Sequence, residues 1–171
     1  EKFAYSSSDL VISNLEKSYM HIDSKVKLSK PFAWIPNGYC EQEKITSIKL
    51  NQFTSQKIPE NKFVIGYAGS LGLANSLDTL IDAAILLKEN ENIVFVLVGN
   101  GQFKEELKNK VIKNKINNVL FLDPVPKEEV NSLLKKFDIC YLGWKRSNLY
   151  KYGIAANKIF DYMRAGVPIL H

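Results

Sequence analysis

Asn157-Lys158-Ile159-Phe160-Asp161 opens a stretch in which Ile159, Phe160 and Met163 recur at helical spacing. Residues four apart share a helix face, so Asn157 and Asp161 point the same way, with Lys158 three residues before Asp161. An ammonium beside the free amides of a helix start can hold a diphosphate as a point charge, and a carboxylate one turn later can accept ribose hydroxyls. The same residues fit a solvent-exposed pair in which Asp161 offsets the helix dipole and meets Lys158, a contact contributing under ~1 kcal/mol. Pattern alone leaves both readings open.

Four further groups of residues could meet a ligand. Gly66, Gly69, Ser70 and Gly72 end an apolar run and precede a helix for which Asn75 or Ser76 is the expected cap. Such a loop lets backbone amides approach a phosphate, although a tight turn needs the same glycines. Gly99-Asn100-Gly101 stands in the same relation to the next apolar run. Asp123-Pro124-Val125-Pro126 ends a third run with a stiff turn whose backbone could meet a base edge, although two prolines are more often a plain stop before a helix. The segment from Gly143 to Asn157 is too long and too aromatic for a simple connector, carrying Trp144, Lys145, Arg146, Tyr150, Lys151 and Tyr152.

The elements that must position these groups are regular from Lys62 onward. Phe63 to Ala68, Ile93 to Val98, Val119 to Leu122 and Ile139 to Leu142 are apolar runs of strand length. Each is followed by a helical pattern: Leu77, Leu80, Ile81, Ala84 and Ile85; then Phe103, Leu107, Val111 and Ile116; then Val130, Leu133 and Leu134; then the Asn157 helix. Continuous apolar strands need burial on both faces, so the expected fold class is α/β, a Rossmann-like doubly wound parallel sheet between helical layers. Ligands of such sheets bind outside the carboxyl ends of the strands, where the loops named above lie. Upstream, Asp9 to Ser13 and Phe32 to Ile35 read as short strands separated by a largely polar stretch, with Pro36-Asn37-Gly38 as a stop. Val167 to His171 reads as a strand just beginning.

A chain of 171 residues buries one sizeable core. Its net charge of +5 suits an anionic ligand or an acidic membrane face and is too diffuse for nucleic acid, the basic runs Lys104 to Lys115 and Lys127 to Lys136 reading as solvated helix faces. Cys40 and Cys140 lie far apart and form no metal or redox spacing, so small buried thiols in a reducing compartment are expected, and His21 and His171 are equally uninformative. No apolar run approaches the ~20 residues of a membrane span. A cytoplasmic protein is expected, with room for peripheral contact at the inner membrane face.

Taken together, Tyr67 to Ala74, Val98 to Gly101, Phe121 to Pro126 and Asn157 to Ile169 resemble the donor half of family-four retaining glycosyltransferases of the two-domain GT-B fold. The resemblance implies residues 1–30 as a remnant of the acceptor domain, 31–61 as a hinge, and 62–171 as a nucleotide-sugar-binding domain, with the whole truncated at both ends. It is nearest to enzymes of bacterial capsule and O-antigen assembly. It implies a nucleotide-activated donor, commonly UDP-linked, a lipid-linked or saccharide acceptor, no metal, and no cofactor beyond that substrate. In the family the donor phosphate assists departure of the acceptor proton.

The second glutamate of the family's paired motif falls on Asp161 and the first on Gly153, while its phosphate-binding arginine and lysine fall on Ser70 and Asn75. Lys158 is the first candidate to replace those cations, with Lys145 and Arg146 next. The donor-binding residues expected are therefore Gly69, Ser70, Gly72, Gly99, Pro124, Val125, Lys145, Arg146, Asn157, Lys158 and Asp161, with no catalytic residue assigned. The chain alone is expected to bind a donor better than it turns it over. A nicotinamide-dependent oxidoreductase and a sugar-nucleotide epimerase share the alternation of elements. The first predicts Gly-x-Gly-x-x-Gly after the first strand, which is absent; the second needs acid-base residues that cannot be placed. Glycine-lined strand ends argue against a purely non-enzymatic interaction domain.

Overall fold

The computed structural model describes residues 1–27, 29–38 and 48–171, which leaves Cys40 outside the described residues. The chain forms two compact units. One comprises Glu1–Glu41 with Arg146–Asn157, the other Gln42–Lys145 with Lys158–His171.

In the first unit α1 (Lys2–Ser7) packs against α2 (Ser18–Val26). Strand β1 (Val11–Ser13) pairs in parallel with β2 (Phe32–Trp34), Val11 opposite Phe32 and Ser13 opposite Trp34. The polar stretch before Lys30 thus contains a helix that periodicity does not announce, because α2 buries only Ile22. A 3-10 turn, Asn148–Tyr152, belongs to this unit and brings the Tyr152 ring edge-on to His21 at 5.4 Å.

The second unit has α3 (Gln52–Lys57) and then an alternation: β3 (Phe63–Ala68), α4 (Leu77–Leu86), β4 (Ile93–Val98), α5 (Lys104–Lys113), β5 (Val119–Leu122), α6 (Val130–Leu134), β6 (Ile139–Tyr141), α7 (Asn157–Ala165, in this unit from Lys158 on) and β7 (Ile169–Leu170). The five strands form one parallel sheet in the order β5-β4-β3-β6-β7. The chain runs outward from β3 to β5, then returns to build β6 and β7 on the other side of β3. That reversal makes the boundary between β3 and β6 the switch point of a doubly wound sheet.

Alternation along the central strands separates the two helical layers. Ile65, Tyr67, Phe95 and Leu97 join Leu77, Leu80, Ile81 and Ala84 of α4 and Leu107 of α5 in one buried cluster. Val64, Val94, Val96 and Val98 are buried on the alternate positions. On that side Phe137, just after α6, lies against Gly66, where an added Cβ would fall on its ring. The Asp138 carboxylate then accepts the Val64 amide at 2.7 Å, fixing the return of the chain at the start of β3.

Three buried tyrosines tie strand ends to loops. The Tyr67 hydroxyl donates to the Ser70 carbonyl at 2.7 Å, the Tyr141 hydroxyl to the Ser76 carbonyl at 2.9 Å, and the Tyr162 hydroxyl of α7 to the Tyr141 carbonyl at 3.1 Å. Burial pushes the Cys140 thiol up to about 12, so it is an inert core residue. Tyr162→Phe keeps the ring and removes one buried donor, and is expected to lower stability by about 0.5–1.5 kcal/mol in urea unfolding, with an unchanged denaturant slope. A loss of under ~0.3 kcal/mol would show that the bond does not help dock α7.

Candidate functional site

The loops after β3 and β4 are stitched to each other before they meet anything else. The Gly69 amide donates to the Val98 carbonyl at 2.9 Å, Leu71 to Asn100 at 2.9 Å and Phe103 to Leu71 at 3.0 Å. Gly99 takes φ of +146°, and a Cβ there would fall on the Gly69 carbonyl oxygen, so only glycine allows this approach. Gly69, with φ of +143°, leaves room for a different neighbour. A Cβ on it would lie 2.6 Å from Cε of Lys158.

Within the second unit these loops border a cavity of about 480 Å³ at the carboxyl ends of β3, β4 and β5. Its lining divides chemically. Gly69, Ser70, Gly99 and Asn100 offer main-chain and small polar groups; Pro124, Val125, Val130 and Leu133 form an apolar wall; Lys158 and Asp161 bring the charges from the start of α7. Seven of the residues singled out by sequence therefore share one space: Gly69, Ser70, Gly99, Pro124, Val125, Lys158 and Asp161. Asn100, Val130 and Leu133 join them without having been singled out as site residues. The helical pattern marks Val130 and Leu133 as apolar, and nothing in it separates a core contact from a cavity wall.

The other four lie elsewhere. Gly72 and Lys145 border a smaller cavity of about 50 Å³ beside Leu77 and Phe103, where the Lys145 ammonium is 3.9 Å from the Asp78 carboxylate. Arg146 is exposed in the first unit. Asn157, which opens α7, also belongs to the first unit, and its side-chain oxygen accepts from Asn37 Nδ2 at 2.7 Å. The expected side-chain cap of α4 is not formed: Ser76 is the N-cap with φ of +49° and no cap hydrogen bond, while Asn75 lies in the 3-10 turn Leu73–Asn75.

Lys158 and Asp161 sit in different dielectric surroundings. The Lys158 ammonium is part-buried, reaches Asn75 Oδ1 at 3.4 Å and stands 5.3 Å from the centre of the Tyr67 ring. Burial holds its pKa below the ordinary lysine range, opposed by the attraction of Asp161. Among the described residues it makes no ion pair within 4 Å, so the surface-pair geometry is not formed. Asp161 stays accessible at the cavity rim. Partial loss of water raises its carboxyl above the usual range, against the pull of Arg164, Lys127 and Lys158.

Chemically, the cavity pairs a cation and main-chain groups with an apolar slot and a carboxylate acceptor. Among the described residues no group of three or more His, Cys, Asp or Glu side chains could hold a metal ion, and no helix is long and apolar enough to cross a membrane.

The chain is similar to several known glycosyltransferases. The chain is 24% identical over 170 residues to a Pseudomonas aeruginosa protein named as a probable glycosyltransferase, WbjE, a match covering 98% of this chain and 42% of that protein. Among solved structures, Anabaena Alr3699/HepE in complex with UDP and glucose aligns with a TM-score of 0.69 at 19% identity, over 97% of this chain and 45% of that one. WaaG, a glycosyltransferase involved in lipopolysaccharide biosynthesis, aligns with a TM-score of 0.69 at 17% identity, over 92% of this chain and 42% of that one. The sheet is that of GT-B glycosyltransferases, and the chain spans less than half the length of these relatives. Residues 49–170 match the family of glycosyl transferases group 1, and the chain belongs to that family.

Proposed function

We propose that this chain is the donor-binding portion of a glycosyltransferase. It takes a nucleoside-diphosphate sugar, UDP-linked, into the cavity at the ends of β3, β4 and β5. The parent protein passes the sugar to a lipid-linked or saccharide acceptor in surface polysaccharide assembly, as a retaining transferase of the capsule and O-antigen type. The observation that carries the reading is Lys158, a part-buried ammonium that makes no ion pair among the described residues and lines the same cavity as the apolar Pro124, Val125, Val130 and Leu133. In this reading Lys158 and the groups at Gly69 and Ser70 meet the diphosphate. Pro124 and Val125 flank the base, and Asp161 accepts ribose hydroxyls.

Two features support a nucleotide over a simple anion. An apolar slot contributes nothing to inorganic phosphate but can bury the face of a base, and HepE is described in complex with UDP and glucose. Stabilisation by UDP, and not by inorganic phosphate or NAD at the same concentration, is therefore expected in thermal unfolding. Ligand at about ten times its dissociation constant adds about 1.4 kcal/mol. Equal shifts with NAD, or none with any nucleotide, would overturn the assignment.

A further inference from the structure

Asp161 attracts the Lys158 ammonium from beyond ion-pair distance, and among the described residues the direct contacts of that ammonium are to groups that carry no charge. Its contact to Asn75 Oδ1, at 3.4 Å, is at the long end of the hydrogen-bond range, and its second neighbour is the face of the Tyr67 ring at 5.3 Å. Asn75 Nδ2 donates in turn to the Ser70 carbonyl at 2.9 Å, and the Tyr67 hydroxyl donates to that same carbonyl at 2.7 Å. Tyr67, Ser70, Asn75 and Lys158 thus close a ring around Gly69, where a side chain would displace the lysine stem. Tyr67 is 1% exposed and belongs to the central strand, so these contacts are anchored to the middle of the sheet.

Neutrality of this cradle has a consequence. A carboxylate in place of Asn75 would pair with the ammonium and compete with an arriving anion. An amide oxygen and an aromatic face orient the ammonium with weak attraction and leave its charge for the ligand. We propose that Asn75 and Tyr67 are positioning residues that hold the Lys158 ammonium on the phosphate-binding wall of the cavity. The proposal rests on the reading of Lys158 as the diphosphate cation.

Isothermal titration of UDP and uridine against the unmodified chain, Asn75→Ala, Tyr67→Phe, Lys158→Ala and the double variant Asn75→Ala/Lys158→Ala tests it. Asn75 is only partly buried, so its variant remains informative even if the buried Tyr67→Phe folds poorly. Each cradle variant is expected to weaken UDP about 2- to 12-fold, the range for one neutral hydrogen bond, and to leave uridine unchanged. In the Lys158→Ala background, Asn75→Ala should cost nothing more for UDP.

Asn75→Asp supplies a readout that a merely structural role would not move. Its carboxylate should weaken UDP at neutral pH while shifting the alkaline loss of UDP affinity to higher pH, because pairing keeps Lys158 protonated longer. Additive losses in the double variant, equal losses for uridine, or an unshifted pH profile would each overturn the cradle while sparing the donor reading. A Lys158→Ala variant that binds UDP normally would remove both together.

Discussion

Replacing Lys158 with alanine is expected to weaken UDP binding about 10- to 150-fold and to leave uridine binding unchanged, corresponding to loss of one charge-assisted contact of about 1.5–3 kcal/mol. The selectivity follows from position: the Lys158 side chain lies beside Gly69 and reaches Asn75, while the apolar lining residues Pro124, Val125, Val130 and Leu133 come from other segments. Its pH dependence has a definite sign. Burial lowers the Lys158 pKa, so the bound cation is lost as pH rises through a value below the ordinary lysine range, and UDP affinity falls with it. Stability moves the other way. A lysine whose folded-state pKa is depressed destabilises the fold while charged in both states, and that cost is relieved as pH rises from the folded toward the unfolded pKa. Lys158→Ala should flatten both trends. Titration of UDP and uridine across neutral to alkaline pH measures them, and equal losses for the two ligands would assign Lys158 to the fold instead.

Why Lys158 was visible in sequence and its surroundings were not is a matter of which forces act locally. Strands β3 and β4 announce themselves because both faces are covered, leaving Phe63 to Ala68 and Ile93 to Val98 as unbroken apolar runs. The turn glycines follow from the same sheet, and with them the positions of Gly69 and Gly99. By contrast α1 and α3 bury no residue fully and α2 buries only Ile22, so no apolar stripe marks them. The cradle of Lys158 is assembled from Tyr67, Ser70 and Asn75, some 80 to 90 residues away in the chain. Spacing on α7 shows what Lys158 can reach along its own helix and nothing of what the sheet brings to it. Pattern alone therefore leaves the surface-pair reading and the ligand reading level.

The same limit applies to the aromatic segment before α7. Its composition marks it as more than a connector, yet composition does not say which residues share a space. The Trp144 ring lies tilted against that of His171, their centres 4.3 Å apart, and a His171 ring nitrogen lies 2.7 Å from the Leu142 carbonyl, so two residues 27 positions apart meet beyond the ends of β6 and β7. Lys145 turns to Asp78 instead, its amide bonded to the Ala74 carbonyl. A run of neighbours in sequence is thus divided among separate surroundings by the direction each strand end imposes.

Asp161→Asn is expected to weaken UDP by roughly 1.5–3 kcal/mol, the range for hydrogen bonds to a charged group, provided that the carboxylate accepts the ribose hydroxyls. The single measurement is confounded, because removing a negative charge near the cavity also favours the diphosphate by an opposing Coulomb effect. Comparing UDP with its 2′,3′-dideoxy analogue cancels that effect, since both ligands carry the same diphosphate. The analogue should bind the unmodified chain more weakly than UDP does, yet lose little more when the substitution is added. This non-additivity belongs to the hydroxyl–carboxylate contact and to nothing else in the helix. Asp161 must also be ionised to act. Its raised pKa means that the preference for UDP over the dideoxy analogue should fade as pH falls through a value above the usual carboxylate range, and Asp161→Asn should abolish that fading. If the carboxylate only complements the dipole of α7, the substitution changes both ligands by the same small amount at every pH. Strictly additive losses in the two-protein, two-nucleotide titration would therefore take Asp161 out of the site and leave the Lys158 wall to stand by itself.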